Sequence, residues 1–357
     1  MAYPFRHPPG GRLLAAKWTP EQVRGDSWAP AMILGQDEAV EAFHDAARSG
    51  RMHHAWLLAG PQGVGKASFA LAAARWLLAD AAGPAVPKDA LDVPDDHPIA
   101  SLLDAGSHPD FKLLQRLPRA NSEELARSIT VDQVRSLQPL FATTPSLSPR
   151  RVVVIDAIDD MERGGANALL KNLEEPPAGT IFLLVSHAPG RLLPTIRSRC
   201  RLLRFGPLED DSLRVVLRRA LPEADEAELD GLLRVAGGAP GNALRFAGLD
   251  IAGLDAAIEK LAVHGDATNA LRTALGRTLS LKSAQERYEA FLERAPSRIA
   301  AEARRGRGNM GETVALWRRA RDIADRAVRQ SLDPNLTVVE IAGLVAKLAP
   351  TESAAKG

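Results

Sequence analysis

The stretch Ala55–Lys66, AWLLAGPQGVGK, constrains the fold more than any other part of the chain. An apolar run ends in a glycine-rich segment of the form G-x-x-x-x-G-K, and a helix-forming sequence follows. That order, strand then loop then helix, is the context in which such glycines cradle phosphate. Gly60, Gly63 and Gly65 let the backbone turn its N–H groups inward, and Lys66 would bridge the β- and γ-phosphates. A glycine turn used only for packing is the bland alternative. It is disfavoured because a second element of the same fold follows at Arg151–Asp156, RVVVID, an apolar strand closing on an acid.

Strands are predicted at Ala55–Ala59, Asp110–Gln115, Arg151–Asp156, Ile181–Val185 and Arg201–Phe205. Between them helices are expected at Asp37–Arg48, Lys66–Leu78, Val131–Phe141 and Ala166–Leu173. Near-continuous apolar strands alternating with helices indicate a parallel sheet covered on both faces. Residues 80–108, rich in Pro, Asp and Ala, read as a surface insertion. Beyond Gly206-Pro207 only helices are expected. With 357 residues the chain exceeds one small core, so more than one domain is anticipated. The divisions read are a loosely ordered leader 1–30, an α/β phosphate-loop domain 31–207, a small helical lid 208–262 and a helical domain 263–350.

Formal net charge is +1, so no global field draws the chain to nucleic acid or membrane. Cys200 is the only cysteine, which excludes an internal disulfide and a multi-cysteine zinc site. No metal site is expected. The first residues, MAYPFRHPPGG, lack the apolar segment of a signal peptide. No apolar run approaches the roughly 18 residues of a membrane span. The cytoplasm is the expected setting.

The phosphate loop is incomplete. A working loop follows its lysine with a hydroxyl that coordinates Mg²⁺; here Ala67 stands there, and Ser68 is turned roughly 100° around the helix axis. Asp156 occupies the place of the metal-side acid. The next position, where a water-polarising Glu would stand, holds Ala157. The acids at Asp159, Asp160 and Glu162 read as an exposed helix start rather than replacements. Loss of both groups with the glycines retained suggests a fold kept after hydrolysis was lost.

Three further stretches are NALLKNLEEPP (Asn167–Pro177), IFLLVS (Ile181–Ser186) and LPTIRSRC (Leu193–Cys200). In this order and spacing they resemble the AAA+ subunits of bacterial clamp loaders. Leu34-Gly35-Gln36, His53-His54 and His108-Pro109-Asp110 agree with that resemblance, which covers roughly residues 30–250. It implies an AAA+ sheet domain, a helical lid and a C-terminal helical collar for oligomerisation. The family's tau/gamma ATPases carry a Thr after the lysine, an acid pair and four zinc-binding cysteines, all missing here. They also carry an Arg where Gly241 stands.

The resemblance further implies that Arg199, in Ser-Arg-Cys, reaches into a neighbour's ATP site as an arginine finger, a role suited to its fixed charge and planar fork. Ser186 either senses a γ-phosphate or caps a turn. Gly60, Gly63, Gly65, Lys66 and Asp156 would form a degenerate nucleotide site. No cofactor is required, and ATP held without hydrolysis stays open beside an empty cradle. Implied partners are the tau/gamma and delta loader subunits and, through the complex, a sliding clamp and primed DNA. Rival readings are a self-sufficient loader ATPase of tau/gamma type and a small-molecule phosphotransferase.

Other residues are read more plainly. Cys200 is expected to be a small buried residue, His53 and His54 lack a carboxylate at metal spacing, and Glu174-Glu175 read as a solvated helix end. The basic stretch at Arg304, Arg305 and Arg307, with Arg318-Arg319, lacks the interleaved aromatics that stack on bases.

Overall fold

The computed structural model describes residues 33–350, apart from 89, 119–124, 307, 308 and 331. The leader 1–30, Arg307 and the TESAAKG tail lie outside the described residues.

Five strands form one parallel sheet: β1 (Ala55–Ala59), β2 (Phe111–Gln115), β3 (Arg151–Asp156), β4 (Thr180–Ser186) and β5 (Arg201–Arg204), in the order β2-β3-β4-β1-β5. In register, Leu58 lies beside Val185 and Leu203, and Val154 beside Leu113 and Leu183. The period of two divides the strand residues between two cores. Trp56, Leu58, Val152, Val154, Leu183 and Val185 enter one. Ala55, Leu57, Val153, Ile155, Phe182 and Leu184 enter the other. Both faces are therefore buried, which is why these strands read as unbroken apolar runs.

Helix α1 (Asp37–Arg48) and helix α2 (Lys66–Ala82) cover the first face. Phe43 of α1 meets Trp56 at 5.3 Å and Phe69 of α2 at 5.5 Å between ring centroids. Nearly all of α2 is buried, as expected of a helix apolar on all sides.

The segment 80–108 exposes most of its residues, as its composition suggested, but it is anchored in the core. Val86, Leu91, Val93, Ile99, Ala100 and Leu103 join the first core, and Pro98–Asp104 forms helix α3. Arg75, buried on α2, pairs with Asp95 at 3.0 Å and Asp104 at 3.3 Å, and the Trp76 indole N–H donates to the Pro87 carbonyl at 2.7 Å. Buried apolar groups and a paired charge hold the segment. No cluster of metal-ligating side chains occurs among the described residues.

The second face carries α4 (Val131–Arg135), α5 (Gln138–Phe141), α6 (Arg163–Glu174) and α7 (Pro194–Arg197). The single helix expected over 131–141 is thus two short ones. A capping box between Thr130 and Gln133 starts α4. Helix α6 stops before Pro176-Pro177, as proline requires. The buried carboxylate of Asp110, in His108-Pro109-Asp110, accepts from the Ser146 N–H at 2.9 Å and the Leu147 N–H at 3.0 Å, so it fixes the approach to β3.

Helices α8 (Asp210–Ala220), α9 (Glu226–Ala236) and α10 (Pro240–Phe246) follow. Then come α11 (Ile251–His264), α12 (Ala270–Leu279), α13 (Gln285–Arg305), α14 (Met310–Gln330) and α15 (Pro334–Ala346). The chain forms two compact units, one of residues 33–229 and 233–245, the other of 230–232 and 246–350. The division falls near residue 246 rather than 262. Helix α11, placed in the lid from sequence, is bound to α13 through Arg294–Asp255 and through Arg298–Glu259 at 2.5 Å. Helix α13 contains Pro296. That proline forfeits one backbone bond, while buried Leu292, Ala295, Pro296 and Ile299 anchor the helix. Among the described residues no helix is long and apolar enough to cross a membrane.

Candidate functional site

The glycine loop lies where the resemblance put it, between β1 and α2 at the C-terminal end of the sheet. Its glycines are needed for stated reasons. Gly63 has φ +81° and Gly65 φ +97°, conformations that side chains disfavour. A Cβ on Gly60 would collide with the Phe205 carbonyl oxygen. Gly65 caps α2 with no side-chain bond, so the first turn of the helix keeps N–H groups directed at the loop.

Lys66 does not stand free above this cradle. It is only 3% exposed. Its Nζ donates to the Gly60 carbonyl at 2.8 Å and to the Pro61 carbonyl. Burial draws its pKa down to about 8, against the opposing pull of Asp156 and Asp159. The lysine thus satisfies itself on the loop's own backbone.

Helix α10 closes the loop from the far side. Gly241 donates its N–H to the Gly63 carbonyl at 2.8 Å, and a Cβ on Gly241 would lie 2.8 Å from the Gly63 Cα. The Leu208 N–H donates to the Gly238 carbonyl at 2.7 Å and ties the same segment to the end of the sheet domain. Gln36 completes the frame, donating through Nε2 to the Gly206 carbonyl at 2.8 Å and the Val64 carbonyl at 3.3 Å.

Asp156 ends β3, and burial pushes its pKa up to about 6, moderated by the Lys66 and Arg116 charges. Ala157 is buried and offers no carboxylate. Of the acids after it, Glu162 is exposed at the start of α6, as expected from sequence, while Asp159 and Asp160 are not. Ile158–Asp160 is one short 3₁₀ turn, and Asp159 is half-buried. The Asp159 carboxylate accepts from the His187 N–H at 2.6 Å, the Ala188 N–H at 3.1 Å and the Ser186 hydroxyl at 3.1 Å. The Ser186 hydroxyl is buried and donates to Asp159, whose carboxylate is the group that takes the N–H donors of this turn. Asp159 was legible only as one acid among several; its spacing from Asp156 was the available signal.

At the other end of β5, Arg199 is held by its own chain. Its Nη2 lies 2.8 Å from Glu174 Oε1, and its Nη1 donates to the Thr195 carbonyl at 2.8 Å. Glu174, read from sequence as a solvated helix end, is therefore the partner of Arg199. Cys200 is half-buried rather than fully buried, and desolvation pushes its thiol up to about 12, so it stays a protonated thiol. The His53 and His54 rings stack on each other at 4.4 Å and bond the Ala55 and Leu173 carbonyls.

Sheet order, glycine loop and lid helix define an AAA+-type nucleotide-binding domain, with alanines where the metal-binding hydroxyl and the water-polarising carboxylate would stand. Residues 35–209 match the family model described as DNA polymerase III, delta subunit. A DNA polymerase III subunit delta' of Pseudomonas aeruginosa is 41% identical over 55% of this chain and 56% of its own length. The subunit delta' of Escherichia coli is 33% identical over 61% of this chain and 60% of its own. A DNA polymerase III subunit gamma of Buchnera aphidicola is 29% identical over 66% of this chain and 60% of its own. Among solved structures, a DNA polymerase III gamma subunit-related protein of Thermotoga maritima superposes with TM-score 0.47 at 16% identity, over 86% of this chain and 98% of that one. The chain spans a little over half the length of the curated relatives it matches. Over residues 35–209 the chain is thus similar to DNA polymerase III subunits named delta'.

Proposed function

We propose that this chain is a clamp-loader subunit in DNA replication that hydrolyses ATP weakly or not at all and lends Arg199 to a neighbour's ATP site. The observation that carries the reading is Lys66, whose ammonium bonds the Gly60 and Pro61 carbonyls of its own loop. Ala67 and Ala157 remove the metal-binding hydroxyl and the water-polarising carboxylate. The Gly241–Gly63 contact leaves no side chain over the loop where an ATPase relative would have an arginine. Such a chain works as a rigid end piece, with no cofactor requirement of its own. Its proposed partners are the tau/gamma and delta subunits in the cytoplasm, with the sliding clamp and primed DNA engaged through the complex.

Arg199 suits a role in trans on chemical grounds. Its guanidinium is one-third exposed, is always charged and presents a planar fork to phosphate oxygens. A loader reconstituted with Arg199→Ala should lose DNA-stimulated ATP hydrolysis by at least tenfold. Wild-type turnover and clamp loading would sink the assignment.

A second reading, an active tau/gamma-type ATPase, is favoured by one observation: relatives named gamma and tau also match, over 66% and 71% of this chain. It predicts ATP turnover by the purified chain alone, abolished by Lys66→Ala. The reading proposed here expects background turnover. Equilibrium dialysis with labelled ATP separates an empty cradle from one that holds nucleotide without hydrolysis.

A further inference from the structure

The two stretches most specific to the family, NALLKNLEEPP and LPTIRSRC, meet at one ion pair. Glu174 is the last residue of α6, fixed there because Pro176-Pro177 end the helix. Arg199 lies just beyond α7, whose Thr195 carbonyl accepts from Nη1 at 2.8 Å; the Ser198 hydroxyl is 3.4 Å from the same nitrogen. Glu174 Oε1 takes Nη2 at 2.8 Å. The guanidinium is therefore held by two separate helices through both terminal nitrogens. Of its five N–H groups, the Nε–H and one Nη2–H keep no acceptor among the described residues.

We propose that Glu174 is a positioning residue for Arg199, an inference that rests on the trans-arginine reading above. The side chains are 33% and 48% exposed, and pairs so open to solvent add little to folding. Its effect is on geometry instead. An unrestrained Arg side chain loses much rotamer freedom on engaging a ligand, and Glu174 takes that loss before the neighbour docks. The carboxylate takes one Nη2–H and leaves the Nε–H and the other Nη2–H for a ligand. A finger that touches only charge developing in the transition state changes kcat rather than KM. Loss of its anchor should do the same to a smaller extent.

The test uses the reconstituted loader with Glu174→Ala, Glu174→Gln, Arg199→Ala and the Glu174→Ala/Arg199→Ala double variant. Expected is a roughly threefold to tenfold lower kcat for DNA-stimulated hydrolysis with Glu174→Ala, less than the roughly hundredfold cost of a full 1 Å misplacement, with KM for ATP and the melting temperature of the chain unchanged. Glu174→Gln, whose amide oxygen still accepts from Nη2, should recover most of the rate. In the Arg199→Ala background Glu174→Ala should have no further effect, because a positioning residue acts only through what it positions. A wild-type or raised kcat in Glu174→Ala overturns the proposal, as does an undiminished effect in the Arg199→Ala background. If Arg199→Ala itself leaves the rate intact, the trans-arginine reading has failed and this inference falls with it. If only the Glu174 variants are silent, the inference alone has failed.

Discussion

Gly241 and Gly63 meet backbone to backbone: the Gly241 N–H donates to the Gly63 carbonyl at 2.8 Å, and neither residue has room for a Cβ. A Cβ on Gly241 would lie 2.8 Å from the Gly63 Cα, and one on Gly63 would lie 3.0 Å from the Asn242 nitrogen. The obstacles are main chain, which cannot rotate away. Overpacking of this kind costs about 1–3 kcal/mol. Gly241→Ala should therefore lower unfolding free energy by that amount in a denaturant titration. Gly50→Ala is not a fair control because of its positive φ; Gly190→Ala, with nothing within reach of the new Cβ, should leave stability nearly unchanged.

Lys66 makes a contrasting prediction. In a loop that binds nucleotide, removing the lysine removes a ligand contact and leaves the apo protein intact. Here Nζ satisfies two carbonyls in a nearly closed space. Leaving buried acceptors unpaired costs about 1–3 kcal/mol. Lys66→Ala should destabilise the nucleotide-free chain by that order, seen as a lower melting temperature. An unchanged melting temperature would show that the lysine is free in solution.

Much of the sheet was legible because both its faces are buried, so the strands have no polar alternation to confuse with a helix. The loop was legible because few sequences other than glycine can turn as residues 60–65 do. What the sequence hid were long-range partnerships. Glu174 looks solvated when only its neighbours Glu175 and Pro176 are considered; its partner Arg199 lies beyond a whole strand. Residues 80–108 look like surface because Pro and Asp are frequent, yet Val86, Leu91, Val93, Ile99, Ala100 and Leu103 enter the same core, beside the Arg75 ion pairs. Helix α11 looks continuous with the lid in sequence, and its packing against α13 and α15, with the pairing of Asp255 and Glu259 to α13, assigns it to the C-terminal unit. The orientation of Lys66 was hidden for another reason. Phosphate oxygens and main-chain carbonyls are both acceptors, and the motif is the same for either.

Asp159 and Ser186 separate a sensor from a cap. The Asp159 carboxylate takes two backbone N–H groups and one hydroxyl. Charge-assisted bonds of this kind are each stronger than neutral ones. Asp159→Ala should cost about 2–4 kcal/mol, since two N–H donors lose their acceptor. Ser186→Ala removes one donor and leaves the carboxylate with its other two, so about 1 kcal/mol or less is expected. Thermal unfolding of the two variants measures both. If Ser186 served a nucleotide instead, Ser186→Ala would leave stability untouched and alter ATP affinity.

Asp156 gives the pH dependence of the site. Burial raises its pKa from the ordinary 3.8 to about 6. The folded state then binds a proton that the unfolded state has released, so between these values stability falls as pH rises. The contribution is fully present below about pH 4 and is lost by the time pH has passed about 6. A shift of this size corresponds to about 1–3 kcal/mol. Asp156→Asn fixes the neutral form and removes this slope. Relative to wild type, the variant should gain stability steadily from pH 4 to pH 7 and show little difference in slope above that. Parallel denaturant titrations across this range give the comparison directly. Two parallel stability curves would mean that Asp156 titrates as an ordinary exposed carboxylate, with its charge reached by water.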